Sequence, residues 1–146
     1  MSGIIVGVDG SGHSQRALEW AMQEAAIRHA PLTVLTVHEA VRAYSGGVAS
    51  YPDDPARTVE AQKAAQAEAD KVLSGLAGAH PESVTIKAVH GFPVEELINA
   101  SRDADMIVLG SRGGGGFSRL LVGSTATQVT HHAQCPVVLI PAGEHA

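Results

Sequence analysis

The sequence predicts an α/β fold: a single-domain, open five-stranded parallel sheet with helices on both faces. Three observations predict it. Short apolar runs alternate along the chain with segments whose apolar residues recur at helical spacing, the pattern of parallel strands joined by crossover helices. Aromatic residues make up 3 % of the chain and hydrophobic residues 45 %, so the core is aliphatic, as suits strands buried on both faces. The 146 residues fit one domain, 1–146, large enough to bury a core without disulfides or metal staples.

Each element follows from local pattern. Ile4 to Asp9 is an apolar run ending in Asp-Gly-Ser-Gly, a buried strand and its turn. Ser14 is placed to cap a helix in which Ala17, Leu18, Ala21, Met22, Ala25 and Ala26 share one face. Pro31 follows its end, and Leu32 to His38 is the second strand. Glu39 to Pro55, with Gly46, Gly47, Pro52 and Pro55, reads as a long loop. Loops of that length are usually functional or disordered. Residues 40–54 are expected to be mobile without ligand and to fold over it as a lid. Arg57 to Ala77 is a long helix with Ala61, Ala65, Ala69, Val72 and Leu76 on one stripe. Val84 to Val89 is a third strand, and Pro93 opens a helix carrying Val94, Leu97 and Ile98 inward. Met106 to Leu109 is a fourth strand, Gly110 to Gly123 a glycine-rich segment, Ser124 to Ala133 a short helix with Ala126, Val129 and Ala133 on one side, and Pro136 to Ile140 a fifth strand.

Charge and cysteine usage exclude several classes. The formal net charge is −5, against the basic patch that a nucleic-acid binder needs, and Lys63, Lys71 and Lys87 form no run. One cysteine, Cys135, excludes an internal disulfide and fits a reducing compartment. No apolar run reaches membrane-spanning length, and the first residues lack the pattern of a secretory signal. The expected location is the cytoplasm.

The chemistry concentrates in Gly110-Ser111-Arg112-Gly113-Gly114-Gly115-Gly116 and Gly123-Ser124-Thr125, between a strand and a helix. Glycines there let the backbone approach a ligand. Successive N–H groups and a helix start favour a phosphate, and the Ser124 and Thr125 hydroxyls can add hydrogen bonds. The plain alternative is a flexible glycine turn with Ser124 as an ordinary cap. It is no Walker loop, because no lysine follows Lys87, and it does not follow the first strand as a Rossmann fingerprint does. Asp9 ends the first strand. If that strand neighbours the fourth, its carboxylate faces the same crevice and can bond a nucleoside or a divalent ion; the alternative is an Asx turn to Ser11. His131, His132 and Cys135 lack an evident third metal partner, and Cys135 reads as a small buried hydrophobe. Arg112 and Arg119 flank the glycines, as phosphate partners or as exposed surface.

Val8-Asp9-Gly10-Ser11, Gly91-Phe92-Pro93 and Cys135 to Ile140 occur in an order that resembles the universal stress protein family. The spacing Gly110-x2-Gly113-x9-Gly123-Ser124 matches the family's ATP-binding signature, G-x2-G-x9-G-S/T. The resemblance covers essentially the whole chain. It implies a sheet ordered 3-2-1-4-5, and nucleoside contacts from Asp9 and Val37. It implies ATP as ligand, with magnesium or manganese at Asp9. The binding set is thus Val8, Asp9, Val37, Gly110, Ser111, Arg112, Gly113, Gly123, Ser124 and Thr125. No catalytic residue is assigned. A nucleotide-dependent binding or signalling module in a stress response is expected; the alternatives are a slow ATPase and an AMP or cyclic AMP binder. A phospho-receiver is excluded, since Val89-His90-Gly91 and Ile140-Pro141 lack its central aspartate and its lysine. In the implied order the last strand is an edge. Val137-Val138-Leu139-Ile140 carries no charge there, so pairing with a second copy into a homodimer is expected. The sequence points to no particular protein partner.

Overall fold

A computed structural model describes residues 3–9, 14–39, 43–50, 52–111 and 124–141. The main sheet contains β1 (Ile4–Val8), β2 (Leu32–Glu39), β5 (Val84–Gly91), β6 (Met106–Gly110) and β7 (Val137–Ile140). All pairings are parallel, in the order β5-β2-β1-β6-β7. Counted along the sheet-forming strands alone, this is the expected 3-2-1-4-5. Helices α1 (Ser14–Arg28), α2 (Pro55–Ser74), α3 (Pro93–Ser101) and α4 (Ser124–His132) cover the two faces.

The period-two alternation of the strands sorts the core into two layers. Ile4, Val6, Val8, Leu32, Val34, Met106 and Val108 pack with Ala17, Leu18, Ala21 and Met22 of α1 and with Ala65 and Ala69 of α2. Leu35, Ile107 and Leu109 turn the other way, against Leu97 of α3 and Ala126 and Val129 of α4. The central strands therefore bury both faces, which is why they read as unbroken aliphatic runs. Small residues on α1 and α2 let those helices lie close to the sheet.

Four local readings need correction. Ser14 is the first helical residue of α1 rather than its cap, and it is buried. The presumed loop contains an antiparallel hairpin, β3 (Ala43–Ser45) and β4 (Val48–Ser50). Gly46 and Gly47 form its tip with φ of 59° and 79°, the paired left-handed conformation of a two-residue type I′ turn, which glycine adopts without steric cost. The second long helix starts at Pro55, two residues before the expected Arg57, and ends at Ser74. Asp54 caps it by accepting from the Ala56 N–H at 3.1 Å, and Pro55 takes the first position, where no N–H is needed. The last strand starts at Val137, one residue after Pro136.

Candidate functional site

β1 and β6 are neighbours, with Val6 level with Val108. One strand along, Val8 is level with Thr36 of β2, and β2 pairs with β5 so that Val37 faces Val89 and His38 faces His90. Between β1 and β6 the strand order reverses, and in open parallel sheets the crevice beyond the carboxyl ends at such a point is where ligands bind. Asp9 projects there, exposed, just past β1. Gly110 ends β6. The Ser111 N–H still donates to Ile140 O of β7 at 2.9 Å, so the chain leaves the sheet only after that residue. Because α4 leads from β6 back to β7, its first residues, Ser124 and Thr125, return to this same end.

The structure thus brings Val8, Asp9, Val37, Gly110, Ser111, Ser124 and Thr125 to one end of the sheet. Arg112, Gly113 and Gly123 lie outside the described residues, as do Arg119 and the first turn, Gly10 to Gly12. The chemical capacity of this end is a carboxylate at Asp9, backbone groups at Val37, one residue past the last β1–β2 pair, and at Ser111, and hydroxyls at the start of a helix. An anion is favoured at the helix start.

Glu68 of α2 is a further member that the sequence did not mark. Its carboxyl is held above the ordinary glutamate range, chiefly by burial and then by the negative charge of Asp9; a hydrogen bond from Ser14 and the Lys71 charge act the other way. The charge of Asp9 is thus felt at Glu68, which links α2 electrostatically to the residue that follows β1. The signal was available only as an acid between two buried alanines, Ala65 and Ala69, on the inward stripe of α2.

A second missed feature is a pair of histidines. His38 and His90 face each other across β2 and β5, with ring centroids 5.1 Å apart and planes inclined by 43°. His38 Nε2 lies 2.5 Å from Thr58 Oγ1 on α2, and His90 Nδ1 lies 3.9 Å from Asp53 Oδ1. His38 Nδ1 is the one buried side-chain nitrogen or oxygen among the described residues that lacks a hydrogen-bond partner.

The remaining candidates fall away from the site. Burial raises the Cys135 thiol above its ordinary range, with Asp105 adding to this and a hydrogen bond involving the Ile107 backbone opposing it; such a thiol is a poor nucleophile. His131 and His132 are exposed, with ring centroids 6.4 Å apart. Among the described residues no group of three or more His, Cys, Asp or Glu is placed to hold a metal ion, and no helix is long and apolar enough to cross a membrane.

Comparison with known proteins agrees with this geometry. Residues 1–141 match the model of the universal stress protein family. A universal stress protein of Mycolicibacterium smegmatis is 36 % identical over 151 residues, covering 99 % of this chain and 49 % of that protein. The chain spans about half the length of the curated relatives it matches. Among solved structures, UspA of Lactobacillus plantarum superposes with a TM-score of 0.76 at 25 % identity, over 95 % of this chain and 97 % of that one. A universal stress protein in complex with cAMP gives 0.66 at 25 % identity, over 96 % of each chain. One from Archaeoglobus fulgidus in complex with dAMP gives 0.58 at 27 % identity, over 94 % and 96 %. The chain belongs to the universal stress protein family.

Proposed function

We propose that this chain is a cytoplasmic adenine-nucleotide-binding module of a stress response, with ATP as its ligand. The observation that carries the reading is the Gly110-x2-Gly113-x9-Gly123-Ser124 spacing, bracketed by the end of β6 and the start of α4 at the point where the strand order reverses. In this reading the β- and γ-phosphates lie on the N–H groups of Gly113 and Gly123 and on the Ser124 and Thr125 hydroxyls, with Arg112 beside them. Asp9 and the backbone at Val37 hold the nucleoside. A magnesium or manganese ion accompanying the phosphates would be held through Asp9 and would supply charge neutralisation. The cAMP and dAMP complexes of structural relatives support an adenine nucleotide; the choice of ATP rests on the signature spacing, with AMP or cyclic AMP as the alternative.

Nucleotide occupancy is the output. Fast phosphoryl transfer needs a positioned base and a charge clamp on the γ-phosphate; no residue is assigned as base, and no Walker lysine is present, since no lysine follows Lys87. Mass spectrometry of the nucleotide released when the purified chain is denatured tests the ligand: ATP supports the reading, AMP or cyclic AMP replaces it. Gly123→Val, which puts a branched side chain where the backbone meets phosphate, lowers ATP affinity by more than tenfold in calorimetry while the fold persists. Unchanged affinity removes the phosphate site from this segment.

The module acts as a homodimer. β7 forms one edge of the sheet, and Val137, Val138 and Leu139 keep part of their surface exposed. An uncharged edge of this kind invites a second strand, and a two-fold axis makes that pairing antiparallel and closes it at two. Val138→Lys shifts sedimentation equilibrium toward monomer. A wild type that stays monomeric at high micromolar concentration rules the dimer out.

A further inference from the structure

We propose that Gln62 closes the β5 edge of the sheet to strand addition, so that copies of this chain pair through the β7 edge alone and the assembly stops at two. The inference rests on the dimer reading above and accounts for the choice of edge.

The open sheet has two edges, β5 and β7. In a parallel ladder successive residues turn their backbone N–H and C=O to opposite sides. Leu32 N donates to Ser83 O, and Leu32 is level with Val84. Ser83, Thr85, Lys87 and Val89 therefore turn toward β2, whereas Val84, Ile86, Ala88 and His90 turn outward. On the other side, Ile107 N donates to Pro136 O and Ser111 N to Ile140 O. Val137 and Leu139 of β7 are therefore the residues that turn outward there.

The two outward rows are treated differently. Gln62 of α2 donates from Nε2 to Ile86 O at 2.9 Å, and its Oε1 accepts from Ala88 N at 3.1 Å. A residue of a further parallel strand, level with Lys87, would make the same two bonds, to the carbonyl before and the amide after. The carboxamide thus fills the middle of the row as a strand of one residue. Its position is set by α2, on which Gln62 lies between Thr58, bonded to His38 of β2, and the buried Ala65. Lys87 is exposed on the same strand, so a two-fold pairing centred there would also bring two ammonium groups together, a further deterrent at an edge. At β7, among the described residues, no side chain takes the outward groups of Val137 or Leu139, and Arg16 Nη1 takes only Pro141 O, just past the strand, at 3.1 Å. The asymmetry matters because a chain with both edges open does not close at two. Alternating β7–β7 and β5–β5 contacts would extend the sheet from copy to copy without end.

The test is sedimentation equilibrium on the full chain with Gln62→Leu, which removes the donor and the acceptor together. The wild type is expected to stop at the dimer. Gln62→Leu is expected to pass the dimer mass at high micromolar concentration and to go on growing as concentration rises. Gln62→Leu combined with Val138→Lys should form dimers through β5, where Val138→Lys alone is monomeric. Amide hydrogen exchange on the wild type reads the same contact and carries the test if Gln62→Leu does not fold. The Ala88 amide should exchange about tenfold more slowly than those of Ile86 and His90, which turn the same way with no strand beyond them. A Gln62→Leu protein with the wild-type mass at every concentration overturns the inference. So does a wild-type Ala88 amide that exchanges no more slowly than those two neighbours. A monomeric wild type instead overturns the dimer reading, and dimers of Gln62→Leu would then still support closure of β5 by Gln62.

Discussion

The two ends of the same sheet are built differently. At the amino end, neighbouring connections are stitched together by hydrogen bonds: Ile4 N to Pro31 O at 2.9 Å, Leu32 N to Ser83 O at 3.0 Å, Ile107 N to Pro136 O at 3.0 Å and Asp105 N to Gly3 O at 2.8 Å. The Asp105 carboxylate adds a bond from Gly3 N at 2.9 Å. At the carboxyl end, Asp9 stands exposed, Glu68 is held beside its charge and His38 Nδ1 has no partner. One end spends its polar groups on itself, so it contributes to stability. The other presents an exposed carboxylate and an unpartnered nitrogen, at some cost to stability. Substitutions at the two ends should therefore separate stability from binding.

The largest expected effect lies at the amino end. Gly3 has φ of +92°, and a Cβ built on it would lie 2.5 Å from Pro31 O, a backbone atom. Gly3→Ala meets both an unfavourable conformation and a clash, and relief means breaking the Asp105 clip. A loss of about 2 kcal/mol in denaturant unfolding is expected, with ATP affinity unchanged in the folded fraction. A parallel fall in affinity would show that the two ends are coupled and would break the contrast.

Next in size is Asp9→Asn. The substitution keeps shape and removes charge at an exposed position outside the β1 ladder, so unfolding should move by less than about 0.5 kcal/mol. ATP affinity should fall about tenfold, more with magnesium present than without. If the wild type hydrolyses ATP at about 1 s⁻¹ or faster, and the variant loses this while binding is intact, Asp9 belongs to a catalytic apparatus and the module is an enzyme.

The same contrast explains what the sequence could disclose. The layers of the fold were legible because each strand and helix shows its own period: the Ile4 to Val8 run and the alanine stripe of α2 need no partner to be recognised. The hairpin was not, since Ala-Tyr-Ser and Val-Ala-Ser are too short and polar to stand out as strands, and only Gly46-Gly47 between them marked the turn. Asp9, Gly110 and Ser124 were legible because strand-end and helix-start positions are local. The histidine pair and Glu68 were not. His38 meets His90 only through the β2–β5 register, and Glu68 feels the Asp9 charge only through tertiary packing; neither is written in local spacing.

The smallest effect sharpens the electrostatics of the site. Burial is the first cause of the raised Glu68 carboxyl and Asp9 the second, with Ser14 and Lys71 opposing them. As pH rises through the ordinary glutamate range, the unfolded chain releases this proton first while the folded chain keeps it. Folding stability from this group is therefore fully present below that range and declines with rising pH until the folded carboxyl also ionises. Glu68→Gln should flatten that decline by a small amount, since the side chain is partly exposed and solvent screens it. Asp9→Asn should lower the Glu68 titration midpoint, followed by carboxyl-carbon NMR, but leave it above the ordinary range, because burial remains. A midpoint unmoved by Asp9→Asn would mean that the two carboxylates do not share the crevice, and that α2 forms no part of the site wall.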